Sequence, residues 1–345
     1  MIKYLKAPFE VFKEFSPWEA KELEELANNG AAFLSISASD PEIFKNVDPN
    51  RIQEAVKASS VALKAYRERL MSSANAWCVI SIPTAAWSMK VFPDLSREEA
   101  ISKLWDAIFK IVRIDRDDTL GAWNEHIKNL TNKMNFLNEH SFKSLHFKSS
   151  KTDLVIDLPE KHLWAGGGEY NEKKVYFVAN MPTEEVFTAP SRTGVNGIVW
   201  STKPLNYNGN LINNFSLTFK DGAVVDFTAE EGYDALKKLL ETDEGSKHLG
   251  EVALVPYDSP ISNSNIIFYN TLFDENASCH LAFGEAYPTC IKGGENMTEE
   301  ELKEAGANSS FNHVDFMVGS SDLDIIGETY SGEKIQIFKD GNWAF

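Results

Sequence analysis

The sequence has 345 residues, of which 43% are hydrophobic and 25% charged, a balance that predicts a globular protein with one large domain or two. Its 51 acidic and 34 basic residues give a formal net charge of −17, which repels phosphate backbones and anionic lipids and therefore disfavours nucleic acids and membranes as partners. Three cysteines without C-x-x-C spacing argue against a disulfide framework and against a cysteine-ligated zinc site.

The N-terminal residues, MIKYLKAPFEVFKEF, carry charges every few positions and lack the apolar run of a signal peptide. Elsewhere the sequence has no apolar stretch that approaches the roughly 20 residues a membrane helix needs. These features predict a cytoplasmic protein.

Helices alternate with short apolar strands in the first part of the chain. Pro17 begins the first clear helix and Gly30 ends it, and Ser96 with Glu99 forms a capping box that opens another helix. The other predicted elements are a strand at 31–38, a helix at 51–71, a strand at 77–82 and a helix at about 120–137. This alternation predicts an α/β layer built on a parallel sheet, and we assign it to a first domain at residues 1–141.

Short β-type runs dominate the rest of the chain, which we assign to a larger, β-rich second domain at residues 142–345. The runs are SLHF, TDLVIDL, KVYFVANM, VNGIVW, FSLTFKDGAVVDFT, EVALV, IIFYNTLF and NHVDFMVG. Lys220-Asp221-Gly222-Ala223 lies between two alternating runs and predicts a hairpin turn, whereas helices are predicted at 230–240 and 298–305. The expected fold class is α/β combined with α+β.

The segment NHVDFMVGS places an imidazole and a carboxylate on one face of a predicted strand. His313 and Asp315 are two positions apart, so their side chains leave the strand on the same side. Such a pair can bind a divalent cation, although a simple His–Asp hydrogen bond gives the same pattern. The remaining histidines lack such neighbours and are not assigned to a site: His126, His140, His146, His162 and His248.

Three further segments of the second domain carry potential ligands. His280 precedes a glycine-containing turn, Glu251 opens the buried run EVALV, and Glu184 and Glu185 lie beside a β segment between two prolines. Acidic side chains in apolar strands are costly unless they are paired or bind a cation. Any one of these residues could be a solvated strand end, but their occurrence in one domain favours a metal site.

Several stretches resemble the metallo-aminopeptidase family that includes aminopeptidases T, S and II, the thermophilic aminopeptidases. The stretches are TDLVIDLPEKHLWAGGG, NMPTEEVFTAP, LGEVALVP, CHLAFGEAYP and NHVDFMVGS, in the family's order and spacing. PWEAKELEELANNGAAFLSI extends the resemblance to the first domain, so it covers essentially the whole chain.

The resemblance implies a metal site and a reaction. The implied ligands are Glu185, Glu251, His280, His313 and Asp315, with Glu185 preferred to its neighbour Glu184 because the family's spacing to the next ligand points there. The implied cofactor is a pair of divalent ions, Zn, Co or Mn, that activates water. The implied substrates are peptides with a free N-terminus, from which the enzyme releases N-terminal amino acids.

Roles for individual residues also follow from the resemblance. Glu251 is expected to shuttle a proton or to bridge the two ions, and Tyr287 to donate a hydrogen bond to the oxyanion of the tetrahedral intermediate. An exopeptidase must also recognise the free α-amine of its substrate, for which a metal or an acidic side chain such as Glu184 is a candidate. Family members are expected to form homodimers whose active sites face an internal cavity.

The chain departs from the family pattern at its beginning. Family members normally carry a further β/α segment ahead of the position of Tyr4, and this sequence lacks it. The first domain is therefore expected to be incomplete, with an exposed sheet edge.

Two other interpretations are compatible with the sequence. Another two-metal hydrolase, such as a phosphoesterase, would favour basic residues near the metals, and the ligand segments carry almost none. A catalytically inactive family member could act as a structural or binding subunit, although the intact ligand set disfavours this interpretation.

Overall fold

The computed structural model describes residues 1–38 and 40–345. Within this part of the chain every helix is too short or too polar to span a lipid bilayer. The helices are α1 (Ile2–Lys6), α2 (Pro17–Asn28), α3 (Pro49–Ala62), α4 (Lys64–Met71), α5 (Ala85–Val91), α6 (Arg97–Ile111), α7 (Thr119–His140), α8 (Tyr233–Leu240), α9 (Pro260–Asn263), α10 (Thr271–Asp274) and α11 (Glu299–Glu304). Short 3₁₀ turns occur at Phe9–Lys13, Gly245–Lys247, Glu275–Ala277, Pro288–Cys290 and Gly294–Asn296.

Most strands follow the last long helix, α7. The strands are β1 (Phe33–Ser37), β2 (Trp77–Ser81), β3 (Phe142–Lys148), β4 (Asp153–Asp157), β5 (Ala165–Gly166), β6 (Glu169–Tyr170), β7 (Tyr176–Phe177), β8 (Val186–Thr188), β9 (Val195–Trp200), β10 (Leu205–Tyr207), β11 (Asn210–Lys220), β12 (Ala223–Glu231), β13 (Leu249–Leu254), β14 (His280–Gly284), β15 (His313–Met317), β16 (Asp324–Thr329), β17 (Lys334–Lys339) and β18 (Asn342–Trp343).

The first part of the chain, up to the end of α7, carries helices around one pair of strands. β1 and β2 run parallel, with Phe33 opposite Trp77, which confirms the predicted parallel sheet. The helix predicted at 51–71 is divided at Leu63 into α3 and α4. Ser96 and Glu99 form the predicted capping box at the start of α6.

Two antiparallel sheets make up most of the second part. The larger has nine strands in the order β10-β11-β9-β4-β3-β16-β17-β18, with β12 paired to β11, and the smaller has five in the order β15-β14-β13-β8-β5. The sheets share one core, in which the ring of Phe316 on β15 lies 5.7 Å from that of Phe215 on β11 and 4.5 Å from that of Phe283 on β14. The smaller sheet therefore has one face that is committed to the core.

The predicted hairpin turn joins β11 to β12. Lys220 pairs with Ala223, and the two residues between them have positive φ angles, 50° at Asp221 and 82° at Gly222, as a type I′ turn requires. A Cβ atom on Gly222 would lie 1.9 Å from the carbonyl oxygen of Arg192, so glycine is needed there.

The strand predicted for IIFYNTLF is wrong. Residues 266–270 form a loop that leads into α10, and the Asp274 carboxylate accepts hydrogen bonds from the backbone N–H groups of Phe268 (2.9 Å) and Asn270 (3.2 Å). Trp87 donates to the carbonyl of Phe268 and contributes to the same buried cluster. The apolar residues of this run are thus buried beneath helices of the first part, which local pattern alone does not distinguish from burial in a sheet.

Two other predicted bounds differ from the structure. Only Tyr176–Phe177 of the run KVYFVANM forms a strand. The helix predicted at 230–240 begins at Tyr233, because β12 continues to Glu231, and Gly232, with φ 78°, separates the strand from the helix.

Candidate metal centre

The five-stranded sheet has two chemically different faces. Leu281 and Phe316 point into the shared core. Because side chains alternate along a strand, Ala282 and Asp315 point the other way, and the register aligns Glu251, Ala282 and Asp315 across β13, β14 and β15. We call this side of the sheet the polar face.

The same register brings both histidines to the polar face. His280 pairs with Ala253, two residues beyond Glu251 on β13, and His313 is two residues before Asp315 on β15. The spacing of two between His313 and Asp315, noted in the sequence, thus places both side chains beside Glu251 of another strand.

Glu184 and Glu185 diverge just before β8. Val186 is buried in the shared core, so Glu185 points to the polar face, where its Oε2 lies 3.1 Å from Nε2 of His280. Glu184 instead pairs with Arg113, whose Nη1 lies 2.7 Å from its Oε1. Only Glu185 of the two glutamates is therefore brought to the other predicted ligands.

The donor atoms form two groups that share Glu251. One contains Glu185, Glu251 and His280, the other contains Glu251, His313 and Asp315, and within each group the donor atoms lie within 4.8 Å of one another. Oε1 of Glu251 is 3.5 Å from Nε2 of His280, and Oε2 is 3.4 Å from Nε2 of His313. Nε2 of His313 is also 3.6 Å from Oδ1 of Asp315.

Backbone carbonyls orient the two imidazoles. Nδ1 of His313 is 2.8 Å from the carbonyl oxygen of Glu285, and Nδ1 of His280 is 3.4 Å from that of Ser278. These contacts leave Nε2 of each ring as the atom that faces the carboxylates and is available to a metal, which is how metal-binding histidines are commonly held.

Burial and neighbouring charges shift the pKa values of these carboxylates and imidazoles in opposite directions. Burial raises the pKa of Glu251, but hydrogen bonds with His280 and His313 outweigh it and lower the pKa to about 2. Burial lowers the pKa of His313, but Asp315 and Glu251 raise it to about 10. For His280, hydrogen bonds with Glu185 and Glu251 likewise overcome burial and raise the pKa well above its usual range. The carboxylates thus favour positive charge here, which protonated imidazoles or metal cations can supply.

The donor set fits divalent cations. Three carboxylates and two imidazoles offer oxygen and nitrogen ligands, and neither group contains a cysteine. Cys279, although adjacent to His280 in sequence, lies in the shared core, where its Sγ is 3.3 Å from the carbonyl oxygen of Val255. Burial raises the pKa of Cys279 to about 12, so it is not a reactive thiol.

A cavity of about 250 Å³ lies over the polar face and is called here the metal cavity. Its lining includes the five predicted ligands, Tyr287, the glycines at 166–168, and Trp77 and Val79 from the first part of the chain. The ring of Tyr287 meets that of His313 edge to face at 5.2 Å. Burial and the nearby carboxylates raise the pKa of Tyr287 well above its usual range, so the phenol keeps its proton and can donate it in a hydrogen bond.

A second cavity of about 420 Å³ adjoins the metal cavity. Val79, Asn180 and Glu275 line both cavities, so the two lie side by side.

Sequence reasoning missed three residues around the centre. Glu275 is only 9% exposed and lines the metal cavity, but in sequence it belongs to an Asp-Glu pair that resembles a solvated turn. His126 and Arg113 flank Glu184, although neither occurs in a recognisable motif. The other histidines set aside from the sequence, His140, His146, His162 and His248, lie outside both ligand groups.

The fold and this donor set define the protein as a candidate metalloenzyme of mixed helix and sheet architecture. The chain matches the family model described as thermophilic metalloprotease (M29) over residues 1–343, and it belongs to that family.

Known relatives agree with this membership. The chain is similar to aminopeptidase AmpS of Bacillus subtilis (strain 168), with 55% identity over 344 residues that cover 100% of this chain and 84% of that protein. Aminopeptidase 2 of Geobacillus stearothermophilus is 54% identical over 344 residues, covering 100% of this chain and 83% of that protein. A solved structure of wild-type AmpT from Thermus thermophilus superposes with a TM-score of 0.91 at 38% identity, covering 99% of this chain and 84% of that one. These findings confirm the family, the mixed fold class and the metallo-aminopeptidase assignment made from the sequence.

Proposed function

We propose that this metallo-aminopeptidase hydrolyses the first peptide bond of its substrates at the centre formed by Glu185, Glu251, His280, His313 and Asp315. The observation that supports the assignment is the convergence of their donor atoms on one face of a sheet, at the wall of a cavity. The opposite face of these strands carries no charged side chain among the described residues and packs into the shared core, so this clustering of buried charge is specific to the cavity side.

Two ligand groups that share Glu251 suit a pair of divalent ions. Oxygen and imidazole donors are appropriate for Zn, Co or Mn. Bound there, the ions would supply an activated water nucleophile and polarise the scissile carbonyl.

The residues of the chain contribute position and hydrogen bonds. The two carboxylate oxygens of Glu251 face different histidines, one in each ligand group, which favours the role of shared ligand over that of proton shuttle. Tyr287 lines the metal cavity, and its hydroxyl is the proposed donor to the carbonyl oxygen as negative charge develops on it. One such donor commonly contributes about 2.7–4 kcal/mol to the stability of a transition state.

The substrates we propose are peptides with a free N-terminus. The first residue occupies the metal cavity, and the adjoining second cavity gives space for more of the peptide. Glu184 is not free to bind the substrate amine, because Arg113 forms an ion pair with it.

Two alternatives lose support. A phosphoesterase would place cations against its substrate, yet among the described residues neither Lys nor Arg lines the metal cavity. An inactive subunit would not need the full donor set that converges here.

The organisation of the protein is also a proposal. The division into domains at 1–141 and 142–345 follows the change from helices to strands between α7 and β3. A cytoplasmic location suits the free thiols of Cys78, Cys279 and Cys290. The homodimer follows from the family resemblance, and sedimentation velocity at micromolar protein would test it.

The decisive experiment is hydrolysis of a panel of aminoacyl-p-nitroanilides after EDTA treatment and after addition of Zn, Co or Mn. Activity should vanish with EDTA, return with metal, and be absent for N-acetylated substrates. His313→Ala should abolish it, whereas His146→Ala, which alters an exposed His–Asp pair, should not. Turnover that survives EDTA or His313→Ala would contradict the proposal.

A further inference from the structure

Arg113 forms a buried ion pair with Glu184, the residue next to the proposed ligand Glu185. Its Nη2 donates to Oε2 of Glu184 at 3.0 Å, and Nη1 lies 2.7 Å from Oε1. The two side chains are only 13% and 6% exposed. The guanidinium therefore meets both carboxylate oxygens, through one hydrogen bond at Oε2 and an ionic contact at Oε1, and this two-point contact constrains direction as well as distance.

Other residues of the first part of the chain contact the guanidinium of Arg113. Its guanidinium lies 5.6 Å from the ring of Trp123 on α7, and Nη1 also donates to the carbonyl of Ile111 at 3.1 Å. The backbone of Arg113 has φ 61°, in the left-handed region that non-glycine residues rarely adopt. A backbone in this region that carries a side chain with contacts to Ile111, His126 and Glu184 points to a functional reason for the position of the guanidinium.

Two more contacts hold the backbone on either side of Glu184. Nε2 of His126, on α7, is 2.7 Å from the carbonyl oxygen of Thr183. Nδ1 of the same ring is 3.2 Å from Nη2 of Arg113, so one neutral tautomer satisfies both contacts. The backbone N–H of Glu184 donates to Oδ1 of Asn276 at 2.7 Å.

We propose that Arg113 and Glu184 form a positioning pair that holds Glu185 in place as a metal ligand, and this inference rests on the metal centre proposed above. Neither Arg113 nor Glu184 lines the metal cavity or belongs to a ligand group, so neither contacts the substrate or the metals. Loss of Arg113 leaves the buried Glu184 carboxylate without its partner. The segment then shifts to hydrate that carboxylate, and Glu185, one peptide bond away, moves from His280.

The test measures metal affinity of the metal-free protein, by calorimetry and by competition with a chromophoric chelator. Arg113→Met and Glu184→Gln should each weaken Co²⁺ or Zn²⁺ binding by about 10- to 100-fold, the usual cost of losing a residue that orients a metal ligand. The double variant should bind metal no more weakly than the single variant with the lower affinity, because both changes break the same pair. Arg113→Lys, which keeps one charge but loses the two-point contact, should recover part of the affinity.

The matched control is Arg69→Met, which breaks another ion pair between the two parts of the chain, with Glu172 at 2.9 Å. It should leave metal affinity and kcat unchanged. Arg113→Met should lower kcat more than it raises KM when metal is limiting, and saturating metal should restore most of kcat.

Three outcomes would overturn the inference: unchanged metal affinity in folded Glu184→Gln and Arg113→Lys, additive losses in the double variant, or a loss in Arg113→Met that Arg69→Met reproduces. A wild-type protein that binds no divalent metal would instead refute the proposed function itself.

Discussion

The contribution of a single hydroxyl can be tested at Tyr287. Its ring packs against His313 and Phe187, and a phenylalanine would keep these contacts while removing only the hydroxyl. Tyr287→Phe should keep the packing and the metal content but lower kcat by about 10²- to 10³-fold, since a donor to the oxyanion is removed. Steady-state kinetics with a fixed metal content would measure this. Tyr170→Phe, at an exposed tyrosine, should have no effect, and equal kcat values for both variants would exclude a catalytic role for Tyr287.

Asp274 predicts a pH dependence of stability. Burial outweighs the backbone N–H donors of Phe268 and Asn270 and raises its pKa from 3.8 to about 6. The folded state therefore holds the proton more tightly than the unfolded state. The resulting contribution to the unfolding free energy is complete below pH 3.8 and is lost as the pH rises through 6. A shift of about two pKa units corresponds to about 3 kcal/mol.

The measurement is urea unfolding of the wild type and Asp274→Asn between pH 4 and pH 8. The unfolding free energy of the wild type, minus that of the variant, should fall by about 3 kcal/mol over this range. A difference that does not change with pH would show that Asp274 titrates normally in the folded protein.

At the scale of elements, adjacent residues of β14 should affect different properties, one the stability of the fold and the next the binding of metal. Leu281 is buried in the shared core, and Leu281→Ala should cost about 2–5 kcal/mol of unfolding free energy with metal affinity retained below the melting temperature. Ala282 lies between Glu251 and Asp315, so Ala282→Leu should place a branched side chain among the donors and abolish metal binding. Its cost in stability should be about 1–3 kcal/mol.

Chemical denaturation and metal titration of the two variants would check this pair of predictions. If both variants lost metal affinity to the same extent, the assignment of the two faces would be wrong.

Elements with strong local signals were predictable. The strands β1 and β2, the capping box of α6 and the turn between Lys220 and Ala223 depend on neighbouring residues, and the structure confirms them. The run IIFYNTLF was not, because its apolar residues are buried through distant contacts such as that of Trp87 with Phe268. An apolar run predicts that its residues are buried, but it does not predict which part of the protein covers them.

The candidate site shows the same limit. The period of two identifies His313 and Asp315 as one pair, whereas the proximity of Glu185, Glu251 and His280 depends on the register of separate strands. In the sequence analysis, only the family resemblance predicted that these residues lie together. Arg113 could not have been found, since it lies far from Glu184 in the chain and carries no motif.

At the scale of the whole molecule, metal binding should stabilise the fold, because the donors come from three strands and from the residue just before β8, and these must be assembled before they can bind. Addition of Zn²⁺ or Co²⁺ at 100 times the dissociation constant should raise the unfolding free energy by about 2.7 kcal/mol. Differential scanning fluorimetry of the EDTA-treated protein would detect the increase in Tm.

Mg²⁺ is the control for this effect, because it prefers an octahedral set of oxygen ligands and should shift Tm less. His313→Ala should remove most of the shift given by Zn²⁺. A shift that persists in this variant would place the stabilising ions elsewhere on the molecule.

The two faces of the five-stranded sheet also constrain how this gene can vary. In a library of all single substitutions across β13, β14 and β15, apart from Gly250 and Gly284, where a side chain would meet backbone atoms, we expect successive codons to alternate between variants that fail to accumulate in cells and variants that accumulate normally but are inactive. A deletion of one codon in these strands should cause both defects at once, since it exchanges the two faces beyond that point. We therefore expect point substitutions on alternate codons to change the donor set without unfolding the protein, while changes of length must occur in the connecting loops.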